Sequence, residues 1–283
     1  GVNKAYLKRY LSDGSLDADF GNSGFLLIDS GEGSFTPVSL LTYNDHIYVV
    51  GTHNINQVDS LFFTRLDASG NIDTAYGQSG FVKVDSVFSQ HAASAVFDDL
   101  GNLFIAGTRY TETTTEAFVS KIIAGALDTS FGDSGYAMQI HSDSSEMAAD
   151  LGVNSNGQVF LLSTTDQSGA WDYGLNAFTQ AGQVDTDFGV NGQVLADFED
   201  EFETANKLLM LDDGVIISGF SWAGVDENPL LFKYDFDGNL DTAFGDSGQL
   251  YINLDQGGNN FLTDIKLTNQ DQNQRRLNNL ALP

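Results

Sequence analysis

Cysteine is missing from all 283 residues, which excludes disulfides, thiolate metal sites and cysteine nucleophiles together. Proline is scarce, with 3 residues. Basic side chains are scarce too: 12 Lys and Arg stand against 39 Asp and Glu, for a net charge of −27. A surface of that sign repels nucleic acid and anionic membranes, so neither is expected as a partner. No apolar run reaches the roughly 18 residues a membrane-spanning helix needs, and no secretory signal peptide is visible. The lack of cysteine fits an exported bacterial protein, with a leader removed ahead of Gly1.

What the chain has in quantity is repetition. LDADFGNSG (16–24), IDTAYGQSG (72–80), LDTSFGDSG (127–135), VDTDFGVNG (184–192) and LDTAFGDSG (240–248) are five copies of one motif, 55 to 57 residues apart. Each has an aliphatic residue, then an aspartate, then an aromatic ring three residues on, with a glycine after the ring and another closing the motif. Paired glycines point to a tight turn with positive φ. Aspartate suits such a turn because its carboxylate accepts backbone N–H bonds from nearby residues. The expectation is a rigid turn whose rings, Phe20, Tyr76, Phe131, Phe188 and Phe244, plug a core. Two copies contain GDSG (132–135 and 245–248), the tetrapeptide around the serine of trypsin-like proteases. The aligned copies have Asn22 and Gln78 in place of its aspartate, and no histidine recurs to activate the serine, so this is turn chemistry and not a nucleophile.

Around each motif the same short apolar segments recur. SLFFTRLDASG (60–70) and its relatives precede it, and FVKVD (81–85) and its relatives follow. A polar loop and a run of small residues come next, then a clear strand: HIYVVGT (46–52), NLFIAGT (102–108), QVFLLST (158–164) or VIISGF (215–220). Four short strands and no helix per unit of about 56 residues predict an all-β, five-bladed β-propeller, with residues 1–283 as one domain. Closing the ring calls for a shared blade, with 251–283 supplying its early strands and 4–12 pairing as its last. One stretch departs from the pattern: at 271–274, where the strand of the closing unit is due, the chain reads DQNQ.

In three features the repeat resembles the bacterial delta-60 repeat family: Arg65-Leu66 to Gly70, then 72–80, then Gly101 to Gly107. The resemblance covers nearly the whole chain, apart from the last unit after residue 268. It implies a propeller in an exported or cell-surface bacterial protein. It implies no activity and supplies no catalytic residues.

Function is then expected in the loops that break the repeat. Glu146, Asp150, Asp200, Glu201 and Glu203 fall in or beside them and would make an acidic mouth on one rim. The main expectation is a non-catalytic binding or interaction module for a protein or glycan, with Asp200, Glu201, Trp171 and Trp222 as rim candidates. The alternative is a glycoside hydrolase with Glu146, Asp150 and Glu203 as its carboxylates, since such enzymes face two carboxyl groups roughly 5–9.5 Å apart. No cofactor is expected. Ca²⁺ is a further possibility at DFDGNLD (235–241), where Asp235, Asp237, Asn239 and Asp241 alternate, although Gly238 is misplaced for an EF-hand loop. His46, His53, His91 and His141 occupy non-equivalent positions and read as ordinary strand or surface residues.

Overall fold

The computed structural model describes residues 3–29, 31–84, 86–140, 144–166, 171–196, 203–221, 227–252, 260 and 262–267. These residues form strands and turns, with no helix among them. At the N-terminus, β1 (Ala5–Lys8) and β2 (Phe25–Ile28) make an antiparallel pair. The first full sheet is β3 (Ser34–Tyr43), β4 (His46–Ile55), β5 (Val58–Leu66) and β6 (Phe81–Val84), side by side in chain order. The second is β7 (Ser89–Phe97), β8 (Leu103–Tyr110) and β9 (Thr115–Ile123), with β10 (Ala126–Leu127) and β11 (Tyr136–Ala137) both on the outer edge of β9. The third is β12 (Glu146–Val153), β13 (Val159–Thr165), β14 (Asp172–Phe178) and β15 (Gln193–Ala196). The fourth is β16 (Glu203–Met210), β17 (Val215–Ser221), β18 (Asn228–Tyr234) and β19 (Gln249–Tyr251). All pairings are antiparallel, as short loops between consecutive strands require. Four-stranded meanders repeated at this spacing are compatible with a propeller.

The sheets pack face to face, which explains the composition of their central strands. β13, VFLLSTT, is buried at every residue, and a strand covered on both faces needs no polar alternation, which is why Val159–Leu162 is apolar throughout. The first strand of each sheet carries a bulge at one place: between Pro37 and Ser39, Ala92 and Ser94, Ala148 and Asp150, and Ala205 and Lys207. Beside the bulge, the Thr52, Thr108 and Thr164 hydroxyls accept the N–H groups of Ala92, Ala148 and Ala205 on the next sheet, at 3.0, 3.0 and 2.9 Å. In the first sheet the corresponding residue is Pro37, which has no N–H to offer.

Each motif joins the third strand of a sheet to its outermost strand. The five rings are buried, with exposures from 1% at Phe131 and Phe188 to 8% at Tyr76. They pack beneath the following unit: a Cβ on Gly182 would stand 2.9 Å from the Phe131 ring, so only glycine fits there, at φ +78°. The motif is also bonded across units, with the N–H groups of Gly21, Gly132 and Gly189 donating to the carbonyls of Ser69, Ala181 and Asp237. All five motif aspartates hold the turn in one way. Their Oδ1 atoms accept the N–H two residues on, at Asp19, Ala75, Ser130, Asp187 and Ala243, over 3.0–3.4 Å. Arg9, Arg65 and Lys233 on the preceding strands pair with Asp17, Asp73 and Asp241, whereas Lys121 lies over the rings of Phe104 and Phe131.

For residues 4–12 the expectation is pairing with the C-terminal unit. On one edge β1 pairs with β2, and among the described residues of 251–283 no strand pairs with its other edge. The β1–β2 pair is made by the motif turn, which folds 25–28 straight back onto 5–8. Residues 253–259, 261 and 268–283, which would supply the rest of that unit, lie outside the described residues.

Candidate functional site

The strand register identifies one position that all four full sheets share near the start of the first strand. Phe35, Gln90, Glu146 and Glu203 occupy it, paired with His53, Arg109, Thr165 and Ser221. All four side chains are buried. Two of the three carboxylates singled out from sequence therefore sit in equivalent places on neighbouring sheets.

The third sheet is built differently to receive its acid. In the other sheets a glycine on the second strand faces a large apolar residue on the third: Gly51 with Phe62, Gly107 with Phe118 and Gly219 with Leu230. In the third sheet the pair is Ser163 with Gly174. The bulk is gone from the third strand, and a Cβ on Gly174 would meet Ser163 Oγ at 2.7 Å and Glu146 Oε1 at 3.2 Å. The Glu146 carboxyl fills that space. Its Oε1 accepts Ser163 Oγ–H at 3.0 Å, Asn176 Nδ2–H at 3.0 Å and Gln193 Nε2–H at 3.4 Å. Burial nonetheless dominates: loss of solvent pushes the Glu146 carboxyl up to about 7, against the pull of the Asn176 and Ser163 donors.

Glu146 also lines a cavity of about 10 Å³, room for about one water molecule, with Thr115, Glu116, Gln139, Ile140 and Ser144. Thr115 Oγ1, Gln139 Oε1 and Ser144 Oγ are buried there without a hydrogen-bond partner. The lining is thus polar and stands between the second and third sheets.

Glu203 is fully buried, and its Oε1 accepts Ser221 Oγ–H at 3.1 Å. Its backbone N–H donates to the carbonyl of Trp171 at 2.6 Å, which ties the half-buried Trp171 to the same rim. Tyr173 follows from Trp171 into the seam between the third and fourth sheets, and its hydroxyl is pushed well up by burial and then by the Glu203 charge. Gly219 makes room for it: a Cβ there would stand 2.6 Å from the Tyr173 oxygen.

The other candidates lie elsewhere. Asp150 is past the bulge, where its Oδ2 accepts the Leu208 N–H at 3.0 Å and faces Lys207 Nζ at 3.7 Å. Ser39 does the same for Ala95 between the first two sheets, so Asp150 has a seam-bonding role. Asp200, Glu201 and Trp222 fall outside the described residues, as does His141. In the 235–241 stretch, Asp235 Oδ1 accepts the N–H groups of Asp237 and Asn239, and Asp241 accepts that of Ala243 and pairs with Lys233. The same network recurs at Asp67 and Asp98, so the alternation of oxygens builds a turn. Among the described residues no three acidic or histidine side chains group as metal ligands. His91 Nε2 meets Asp59 Oδ2 at 2.7 Å across the first seam, and His53 packs against Phe62.

Sequence reasoning named Glu146 but missed Ser163, Asn176 and Gln193, which hold it. The signal was the exchange of Gly for Ser at 163 and of a bulky residue for Gly at 174. It becomes legible only when the strands are in register.

No protein-family profile matches the chain, and no curated protein resembles it in sequence. Among solved structures, an endo-arabinase from Bacteroides thetaiotaomicron is similar over 77% of this chain and 84% of its own, at 13% identity and a TM-score of 0.45.

Proposed function

We propose that the protein is a closed five-bladed propeller that acts on carbohydrate in the manner of a glycoside hydrolase, at the rim formed by the starts of β12 and β16. One observation carries this reading: Glu146 and Glu203 hold the same position on neighbouring first strands, and the Glu146 carboxyl is raised to about 7. A carboxyl that keeps its proton near neutrality can pass it to a departing glycosidic oxygen, while a second carboxylate attacks the sugar or takes the proton of the attacking water. Glu146 has the first role and Glu203 the second, with Trp171 as the adjoining aromatic surface. The fifth blade is the β1–β2 pair completed by C-terminal residues, and the repeat is of the delta-60 type, in an exported protein.

The test is release of reducing ends from a panel of purified polysaccharides between pH 5 and 8. E146Q should lower the rate by about 10²–10⁴-fold, the usual worth of a positioned acid. It should lose far less on aryl glycosides whose leaving group needs no proton. A parent protein inactive on the whole panel, or an E146Q protein as active as the parent, overturns the reading.

The burial of both acids favours a second reading, a non-catalytic binding module. At 4% and 0% exposure, each is already bonded within its own sheet. Retention of a glycan on an array without its cleavage would decide for that reading.

A further inference from the structure

Two positions make the seam between the second and third sheets polar where their counterparts are apolar. Four residues past the closing glycine of the motif, the first and third sheets have Val84 and Ala196, both buried, while the second sheet has Gln139. Two residues before the shared rim position, the second sheet has Phe88 and the third has Ser144. Both exchanges fall on the small cavity that Glu146 lines.

Every donor that reaches the Glu146 carboxyl goes to one atom. Ser163, Asn176 and Gln193 all donate to Oε1, and among the described residues none donates to Oε2. The proton of the acid therefore belongs on Oε2. Three more oxygens line the cavity without a partner: Thr115 Oγ1, Gln139 Oε1 and Ser144 Oγ. The Gln139 oxygen can only accept, because its Nε2 donates to the Asn191 carbonyl at 3.1 Å and so fixes the amide. Buried polar atoms in this condition call for a bound partner. A space of about 10 Å³ takes one molecule of water size, which needs two to four polar partners. Two acceptors and two hydroxyls that can donate match the two hydrogens and two lone pairs of water. A cation suits the set less well, because burial favours the protonated, uncharged Glu146 carboxyl.

We propose that the cavity is a binding site for one water molecule, held by Glu146 Oε2, Gln139 Oε1, Thr115 Oγ1 and Ser144 Oγ, and that the Glu146 proton leaves and returns through it. With the acid protonated, Oε2–H donates to the water, which donates to Gln139 Oε1 and one hydroxyl and accepts from the other. On ionisation the water takes the Oε2 proton and passes one of its own to solvent, on the side of Ile140, which is 57% exposed. The water left behind donates to Oε2 and Gln139 Oε1, and both hydroxyls turn to donate to it. All four oxygens are met in both states, so a carboxyl at 4% exposure can still exchange its proton. This holds whether or not the rim cleaves carbohydrate, so the polysaccharide assay and the tests below fail independently.

T115V/S144A removes both hydroxyls. Ionised Glu146 then loses the water on Oε2, and its proton is held to higher pH. Between pH 4.5 and 9 the ratio of folded to unfolded protein should fall at least about tenfold further than in the parent, the equivalent of one more pH unit. In an E146Q background the same two substitutions should leave the pH dependence unchanged. A fall equal to the parent's or smaller overturns the proposal. So does a double variant more stable than the parent at every pH, the result for unpaired hydroxyls in a dry cavity. If the double variant does not fold, the parent decides. A high-resolution crystal structure should show one ordered water within hydrogen-bond distance of Glu146 Oε2 and Gln139 Oε1, and a metal ion or no density there overturns the proposal.

Discussion

Glu146 is a side chain whose surroundings predict a measurable pH dependence. An unfolded chain releases the Glu146 proton near 4.5, while the folded protein holds it to about 7. Its contribution to stability is therefore complete below about pH 4.5 and falls as pH rises toward 7, where the buried group must ionise. That difference sets an upper size of roughly 3 kcal/mol. E146Q keeps an oxygen acceptor for Ser163, Asn176 and Gln193 and removes the charge. Its stability should change less between pH 4.5 and 7 than the parent's, and it should be the more stable protein at pH 8. Chemical denaturation of both proteins across that range is the measurement, and parallel curves would refute the buried ionisation. The sequence shows Glu146 as one acid among many in a variable loop. Its difference from Asp150, four residues on, comes from the vacancy at Gly174, and no single stretch of sequence displays that.

At the level of elements, the motif was the most legible part of the chain, because its chemistry is local. Two glycines, an aspartate and a ring specify one turn, and that turn holds in all five copies. The ring's role extends further, since Phe131 fills the space over Gly182 in the next unit. F131A should cost about 3–5 kcal/mol, the range for emptying a fully buried aromatic site; a thermal midpoint equal to the parent's would deny it the anchoring role. D128A removes the acceptor for the Ser130 N–H and should cost about 1 kcal/mol, because that N–H can turn to water. T108V is the sharper probe of the seams. It leaves the Ala148 N–H facing a methyl group and should cost about 1–3 kcal/mol, the penalty for an unmet buried donor, while T111V in the outer loop should cost less. The seam threonines went unremarked in sequence because their partners lie 40 or 41 residues away. The pairing of β1 with β2 was not legible for a related reason. Four segments per unit were visible, but the motif's turn decides which of them pair, and it returns the chain to the strand it has just left.

For the molecule as a whole, the surplus of acid is only partly neutralised by design. Arg9, Arg65 and Lys233 each hold a motif aspartate, and most other carboxylates have no basic partner to meet, at a net charge of −27. Self-repulsion of that size destabilises a compact state and is screened by salt. The thermal midpoint should therefore rise as NaCl increases from about 0.01 M to about 0.15 M, a change that shortens the screening length from about 30 Å to about 8 Å. A midpoint indifferent to salt would mean that the surface acids are too well spread to repel. The seams also divide the molecule mechanically. Three are fastened beside the bulge by a threonine hydroxyl to a backbone N–H, and the one at Pro37 lacks that bond, being held at the start of β3 by the Phe35 N–H to the Asn3 carbonyl and the Asn3 N–H to Ser34 Oγ. Under tension applied between the chain's two ends, the molecule should peel from β3 at low force. The three threonine-bonded seams should hold until a second, higher rupture, because each has at the bulge a directional bond that Pro37 cannot supply.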